Sequence, residues 1–151
     1  MPEIKEYFSR ADLDSVKRVI QEAEKYTSGE IRVKIINKFD SDISDLRQQA
    51  EREFLGEGLH NTRDKTGVLV LVVLRERRFI ILGDSGIYSK LTQGYWDKLA
   101  SRMSLAFRSG NYSSGICRVV EEVGRALSTL FPRRDDDTNE LSDDVVVGGG
   151  R

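Results

Sequence analysis

"GVLVLVVLRERRFIILGD", residues 67–84, decides the fold. Its first part is continuously apolar and rich in valine, which predicts a strand covered on both faces and therefore central in its sheet. Residues 75–78 are charged, and the apolar run then resumes. So short a link joins two strands only as an antiparallel hairpin, because a parallel return needs a crossover of a dozen residues or more. Towards the N-terminus, "GEIRVKII" (29–36) alternates Ile31, Val33 and Ile35 with Arg32 and Lys34. That period predicts another strand, with one wetter face. Between these strands Leu46, Ala50 and Phe54 fall four apart and the pattern stops at Gly56 and Gly58, as a helix does. A helix in between makes the two strands parallel, through a right-handed crossover.

The flanks are helical. "SRAD" (9–12) offers Ser9 as a cap with Asp12 in the first turn, followed by Leu13, Val16, Ile20 and Ala23 at helical spacing. After residue 90, Trp96, Leu99, Met103 and Phe107 form one stripe, and Ile116, Val119, Val120, Val123, Leu127 and Leu130 form a second that stops before Pro132. These elements predict one α/β domain over residues 1–132: a three-layer α/β/α sandwich around a small mixed sheet containing an antiparallel hairpin. Residues 133–151 have no helical period, carry three consecutive aspartates and end in glycines; a mobile polar tail is the expectation.

Composition narrows the function. A chain of 151 residues is long enough for a core of its own. With 24 Lys and Arg against 25 Asp and Glu, the formal net charge of −1 creates no global field for nucleic acid or an anionic membrane. The single cysteine, Cys117, excludes an intramolecular disulfide and a CxxC metal pair, and its helical setting suits a buried filler. "MPEIKEYFSR" is charged and mixed rather than leader-like, and the longest apolar run, 68–74, is too short for a transmembrane helix. A cytoplasmic location is the expectation.

The topology collects acids. Glu30 precedes the first strand, Asp64 and Thr66 precede the second, and Asp84 follows the third, which runs the opposite way. All reach the same edge of the sheet. Three carboxylates from separate segments repel unless protonated or bridged, and hard oxygen ligands suit calcium or magnesium. His60 and Arg63 share the loop before the second strand, and Gly83 and Gly86 flank the third acid. The opposite edge competes, because parallel sheets usually bind ligands beyond the carboxyl ends of their strands. It carries Asn37, Asp40 and Asp42, together with Arg75, Glu76, Arg77 and Arg78 in the hairpin, for which salt-bridged turns and solvated charge are sufficient explanations.

"GDSG" (83–86) is also the setting of the nucleophilic serine in trypsin-like proteases. A triad needs an imidazole against the hydroxyl, and His60 is the one histidine. Several helical patterns exclude the all-β protease fold, and the spacing is not that of the GxSxG elbow. Interest therefore moves from Ser85 to Asp84.

"TSGEIRVKI", "LGEGLHNTRDKTGVLVLVVLRERRFIILGDSGI", "FRSGNYSSGI" and "NELSDDVV", in that order, resemble the small soluble branch of the TPM-domain family, over about Phe8 to Val146. That family takes its name from a thylakoid lumen phosphatase, a photosystem repair protein and a receptor-associated membrane protein. The resemblance implies the same α/β/α sandwich. Gly29, Glu30, Asp64, Thr66, Gly67, Gly83, Asp84 and Gly86 match its recurring motifs, with Thr66 where many members have Asn. Members include acid phosphatases, calcium- or magnesium-binding proteins and accessory subunits of membrane proteins. Two functions follow as expectations. One is a binding or accessory module for a protein partner, with a cation at Glu30, Asp64 and Asp84 and further contacts from His60, Arg63, Thr66, Gly83 and Gly86. The other is a metal-dependent acid phosphatase in which that cation activates water and Arg63 steadies the phosphate.

Overall fold

A computed structural model describes residues 4–133 and 145–148. The elements are α1 (Ile4–Tyr7), α2 (Arg10–Glu24), β1 (Glu30–Ile36), α3 (Leu46–Gly56), β2 (Gly67–Val73), β3 (Arg78–Gly83), α4 (Ser85–Tyr88), α5 (Gln93–Arg108), α6 (Tyr112–Leu130) and β4 (Val146–Gly148). A 3-10 turn, Leu59–Asn61, links α3 to the loop before β2.

The sheet order is β3-β2-β1-β4. β1 and β2 are parallel, with Glu30 opposite Gly67 and Ile36 opposite Val73. β2 and β3 form the expected hairpin, with Val68 opposite Gly83 and Val73 opposite Arg78. Every residue of β2 is buried, in keeping with its unbroken apolar sequence. Period-two alternation then sorts the side chains into two cores. Ile31, Val33, Ile35, Val68, Val70 and Val72 pack beneath α2, α5 and α6. Ile36, Leu69, Leu71 and Val73 pack against Leu46, Ala50 and Phe54 of α3. Helices on both faces complete the α/β/α sandwich.

Local chemistry starts the helices. Ser9 and Asp12 form a capping box on α2: the Asp12 N–H donates to Ser9 Oγ at 3.0 Å, and the Ser9 N–H donates to Asp12 Oδ2 at 2.8 Å. Asp45 caps α3 and Thr92 caps α5.

Three expectations change. The polar positions of β1 do not face water: Arg32 and Lys34 are buried because α3 lies over them. Cys117 is half-buried rather than buried, and desolvation raises its thiol pKa. Leu130, in the last turn of α6, is 38% exposed. Within the expected tail, Val146–Gly148 adds a strand parallel to β1, with Lys34 opposite Val146 and Gly148 opposite Ile36. The run of aspartates at 135–137 lies outside the described residues.

Candidate functional site

The parallel β1–β2 pair and the returning β3 bring Glu30, Thr66 and Asp84 to one edge of the sheet. Glu30 is opposite Gly67 in the ladder, and the Asp84 N–H donates to the Gly67 carbonyl at 2.9 Å. The loop before β2 is tightly built. Gly58 enters the 3-10 turn with φ 73°, a left-handed conformation. The Thr66 N–H donates to Thr62 Oγ1 at 2.9 Å, and Lys65 Nζ donates to the His60 carbonyl at 2.8 Å. Lys65 itself has φ 56°, a strained conformation for a residue with a Cβ.

Gly86 locks α4 onto this loop. A Cβ there would collide with the Asp64 carbonyl oxygen, and the Ile87 N–H donates to the Lys65 carbonyl at 3.2 Å. Glycine is thus the residue that permits the two backbones to touch. Gly67 plays a similar part, since a Cβ there would stand 2.5 Å from the Leu59 carbonyl oxygen.

Asp84 caps α4, with Oδ1 accepting from the Ser85 N–H at 2.7 Å. Its Oδ2 is buried and has no hydrogen-bond partner among the described residues. His60 Nδ1 is likewise buried without one. Buried polar atoms in this state are uncommon and call for an explanation. Asp64 is less committed: its side chain is 32% exposed and Arg63 Nε lies 3.8 Å from Oδ2. Ser85 is exposed and starts α4.

Glu30 goes elsewhere than a three-carboxylate cluster. It is 4% exposed, and strand parity places it on the α3 face with Arg32 and Lys34. Among the described residues, no group of three His, Cys, Asp or Glu side chains is arranged to hold a metal ion. Among the described residues, the edge therefore presents one buried carboxylate oxygen and one buried imidazole nitrogen without a hydrogen-bond partner, beside the 59–67 loop.

Sequence reasoning missed a polar layer beneath α3. Lys34 Nζ pairs with Glu53 and lies 3.3 Å from Glu57 Oε2, while Arg32 Nε lies 3.4 Å from Glu57 Oε1. Gln49 Nε2 donates to Glu53 Oε1 at 3.2 Å, and Gln49 Oε1 accepts from the Asp40 N–H at 2.8 Å. Arg52 then joins Asp40 at 3.0 Å and grips Asp42 with two nitrogens at 2.8 Å each. That grip holds the Asp42 carboxyl below its usual range. The layer supplies the acidic partners, Glu53 and Glu57, for the two cations of β1. Its signal was present in the sequence: Gln49, Glu53 and Glu57 recur every four residues, on one helical face.

A family profile for the TPM domain matches residues 4–126. Among solved structures, the chain is similar to the BA42 protein of the psychrophilic bacterium Bizionia argentinensis, with 32% identity and a TM-score of 0.84 over 98% of this chain and 100% of that one. The N-terminal domain of a P. gingivalis protein shares the fold at 23% identity and a TM-score of 0.68, covering 85% of this chain and 82% of that one. So does the N-terminal domain of a Corynebacterium glutamicum protein, at 14% identity and 0.63, covering 91% and 84%. No match is found among curated proteins.

Proposed function

The chain belongs to the TPM-domain family, and from that membership we propose a binding module that holds a divalent cation, calcium or magnesium, at the sheet edge built by the 59–67 loop and Asp84. The observation that carries this reading is the buried Asp84 Oδ2 with no hydrogen-bond partner among the described residues. A desolvated carboxylate oxygen is costly unless a cation or donor meets it. Asp84 is the anchoring ligand, and Asp64 and the backbone oxygens of its loop complete an all-oxygen set of the kind hard cations take. Glu30 contributes negative potential through the α3 face. His60 and Arg63 stand at the rim, where a protein partner's acidic or polar groups meet them. Modest coordination by one buried carboxylate suits a module whose cation tunes a binding surface rather than one that drives hydrolysis.

The test is a titration of the full chain with calcium and, separately, magnesium, followed by backbone amide shifts and by the fluorescence of Trp96. This tryptophan is unique in the chain and its ring abuts Gly83. Saturable shifts at residues 64–66 and 84–86 are expected. Asp84→Asn, which keeps a capping oxygen but removes the charge, abolishes them. Shifts confined to other regions, or unchanged in the variant, overturn the reading. Turnover of a generic phosphomonoester that Asp84→Asn eliminates would replace it with hydrolysis.

A further inference from the structure

The opposite end of the sheet carries a second cleft of contrary charge. A cavity of about 400 Å³ opens beyond the carboxyl end of β2, between the β2–β3 hairpin, the end of α5 and the start of α6. Three guanidinium groups, Arg77, Arg78 and Arg108, line it, and Tyr7, Phe107 and Tyr112 form its wall. No Asp or Glu is among its described lining residues; Glu76, in the same hairpin turn, is exposed and stands outside the lining. Among the described residues, none of the three arginines has an ion pair or hydrogen bond to a side chain, whereas Arg32, Arg52, Arg63, Arg102 and Arg125 all meet carboxylates.

Three like charges gather around one cleft; all three residues are exposed, so their charge is presented to solvent and to a ligand rather than spent on internal pairing. Arg108 sits in the last turn of α5, where the helix dipole favours a cation. That argument does not extend to Arg77 and Arg78, which belong to a hairpin. Arg77 is moreover held at φ 51°, in a turn closed by its N–H to the Leu74 carbonyl at 3.1 Å. The nineteen-residue α6 begins at Tyr112, on the cavity wall, and Asn111 makes no side-chain capping hydrogen bond to it. The positive end of its dipole thus adds to the same field. The location beyond the carboxyl ends of parallel strands is where open α/β sheets usually take ligands.

We propose that this cleft binds a phosphate monoester carrying a flat aromatic group, of mononucleotide size. The guanidinium groups take the phosphate oxygens, for which their planar forks are suited. The aromatic wall takes the ring. The cavity volume lies within the range of small-ligand pockets, roughly 300–1,000 Å³. Nothing in this assignment depends on a cation at the Asp84 edge.

The experiment titrates the full chain with AMP, adenosine and inorganic phosphate in turn, following backbone amide shifts. AMP is expected to move residues 74–78 and 111–114, and to bind more tightly than phosphate; adenosine alone is expected to bind weakly or not at all. Arg78→Gln with Arg108→Gln lowers AMP affinity by roughly tenfold or more, as loss of bidentate phosphate contacts does. Arg47→Gln, an exposed arginine on α3, leaves it unchanged, which separates a site from general surface charge. Arg78→Lys keeps the charge but loses the fork and gives an intermediate affinity, and circular dichroism confirms that each variant is folded. Shifts at the Asp84 edge instead, AMP binding indifferent to the double substitution, or phosphate binding as tightly as AMP would each overturn the assignment.

Discussion

Ser9 and Asp12 satisfy each other's backbone N–H groups at the start of α2. The Ser9 amide, above all, lowers the Asp12 pKa from 3.8. Ser9→Ala is therefore expected to reduce the unfolding free energy by about 1 kcal/mol, measured by urea titration at neutral pH. The sign of the acid dependence follows from linkage: a depressed carboxyl pKa stabilises above the unfolded value and loses that contribution as pH falls through the folded one. The wild-type advantage over Asp12→Asn, which keeps an oxygen for the Ser9 amide but removes the charge, thus shrinks as pH falls below 3.8. This capping pair was readable from "SRAD" because both partners lie within one turn. Asp84 was only half readable. Strand direction brought it to the edge, but its cap on Ser85 and the isolation of its second oxygen depend on how α4 seats against the Lys65 carbonyl.

β1 and α3 work as a pair. The strand sends Ile31, Val33 and Ile35 into one core and Arg32 and Lys34 into the other side, where Glu53 and Glu57 meet them. Lys34→Met takes the paired ammonium from the Glu53 carboxylate, which is 2% exposed and keeps its hydrogen bond from Gln49. Breaking a buried pair in this way costs about 3–5 kcal/mol, and the urea midpoint should fall accordingly. Adding Glu53→Gln to Lys34→Met removes that carboxylate charge and should recover part of the loss. A midpoint unchanged by Lys34→Met would show that the layer contributes nothing to stability. Alternation identified the strand correctly but read its polar positions as wet. Period two says which residues share a face, while the identity of what covers that face is a tertiary fact. The four-residue recurrence of Gln49, Glu53 and Glu57 was the missing half, and it lies in a different segment of the chain.

At the scale of the whole molecule, the sequence supports the central hairpin, the parallel pair and the helical layers, because each follows from local period and link length. β4 was not foreseen: three residues give too little alternation to stand out, although "VVV" at 145–147 is β-branched. Its pairing is long-range, with the Asn37 N–H donating to the Gly148 carbonyl at 3.2 Å. A chain ending at residue 144 is expected to keep its fold, since both cores lie within residues 4–133 apart from the marginal Val145. Hydrogen exchange at the Asn37 amide should then accelerate while β2 amides stay protected; an unchanged Asn37 rate would show that β4 does not shield it. The other half of that outer edge is guarded differently: the buried carboxylate of Glu24 accepts the Ile31 N–H at 2.7 Å. On that flank a foreign strand therefore finds a side chain where it needs a free amide, and beyond it a ribbon of three residues. The long open margin is β3, on the other flank. Were copies to pair through strands, β3 is the edge they would use, and one such pairing would consume it.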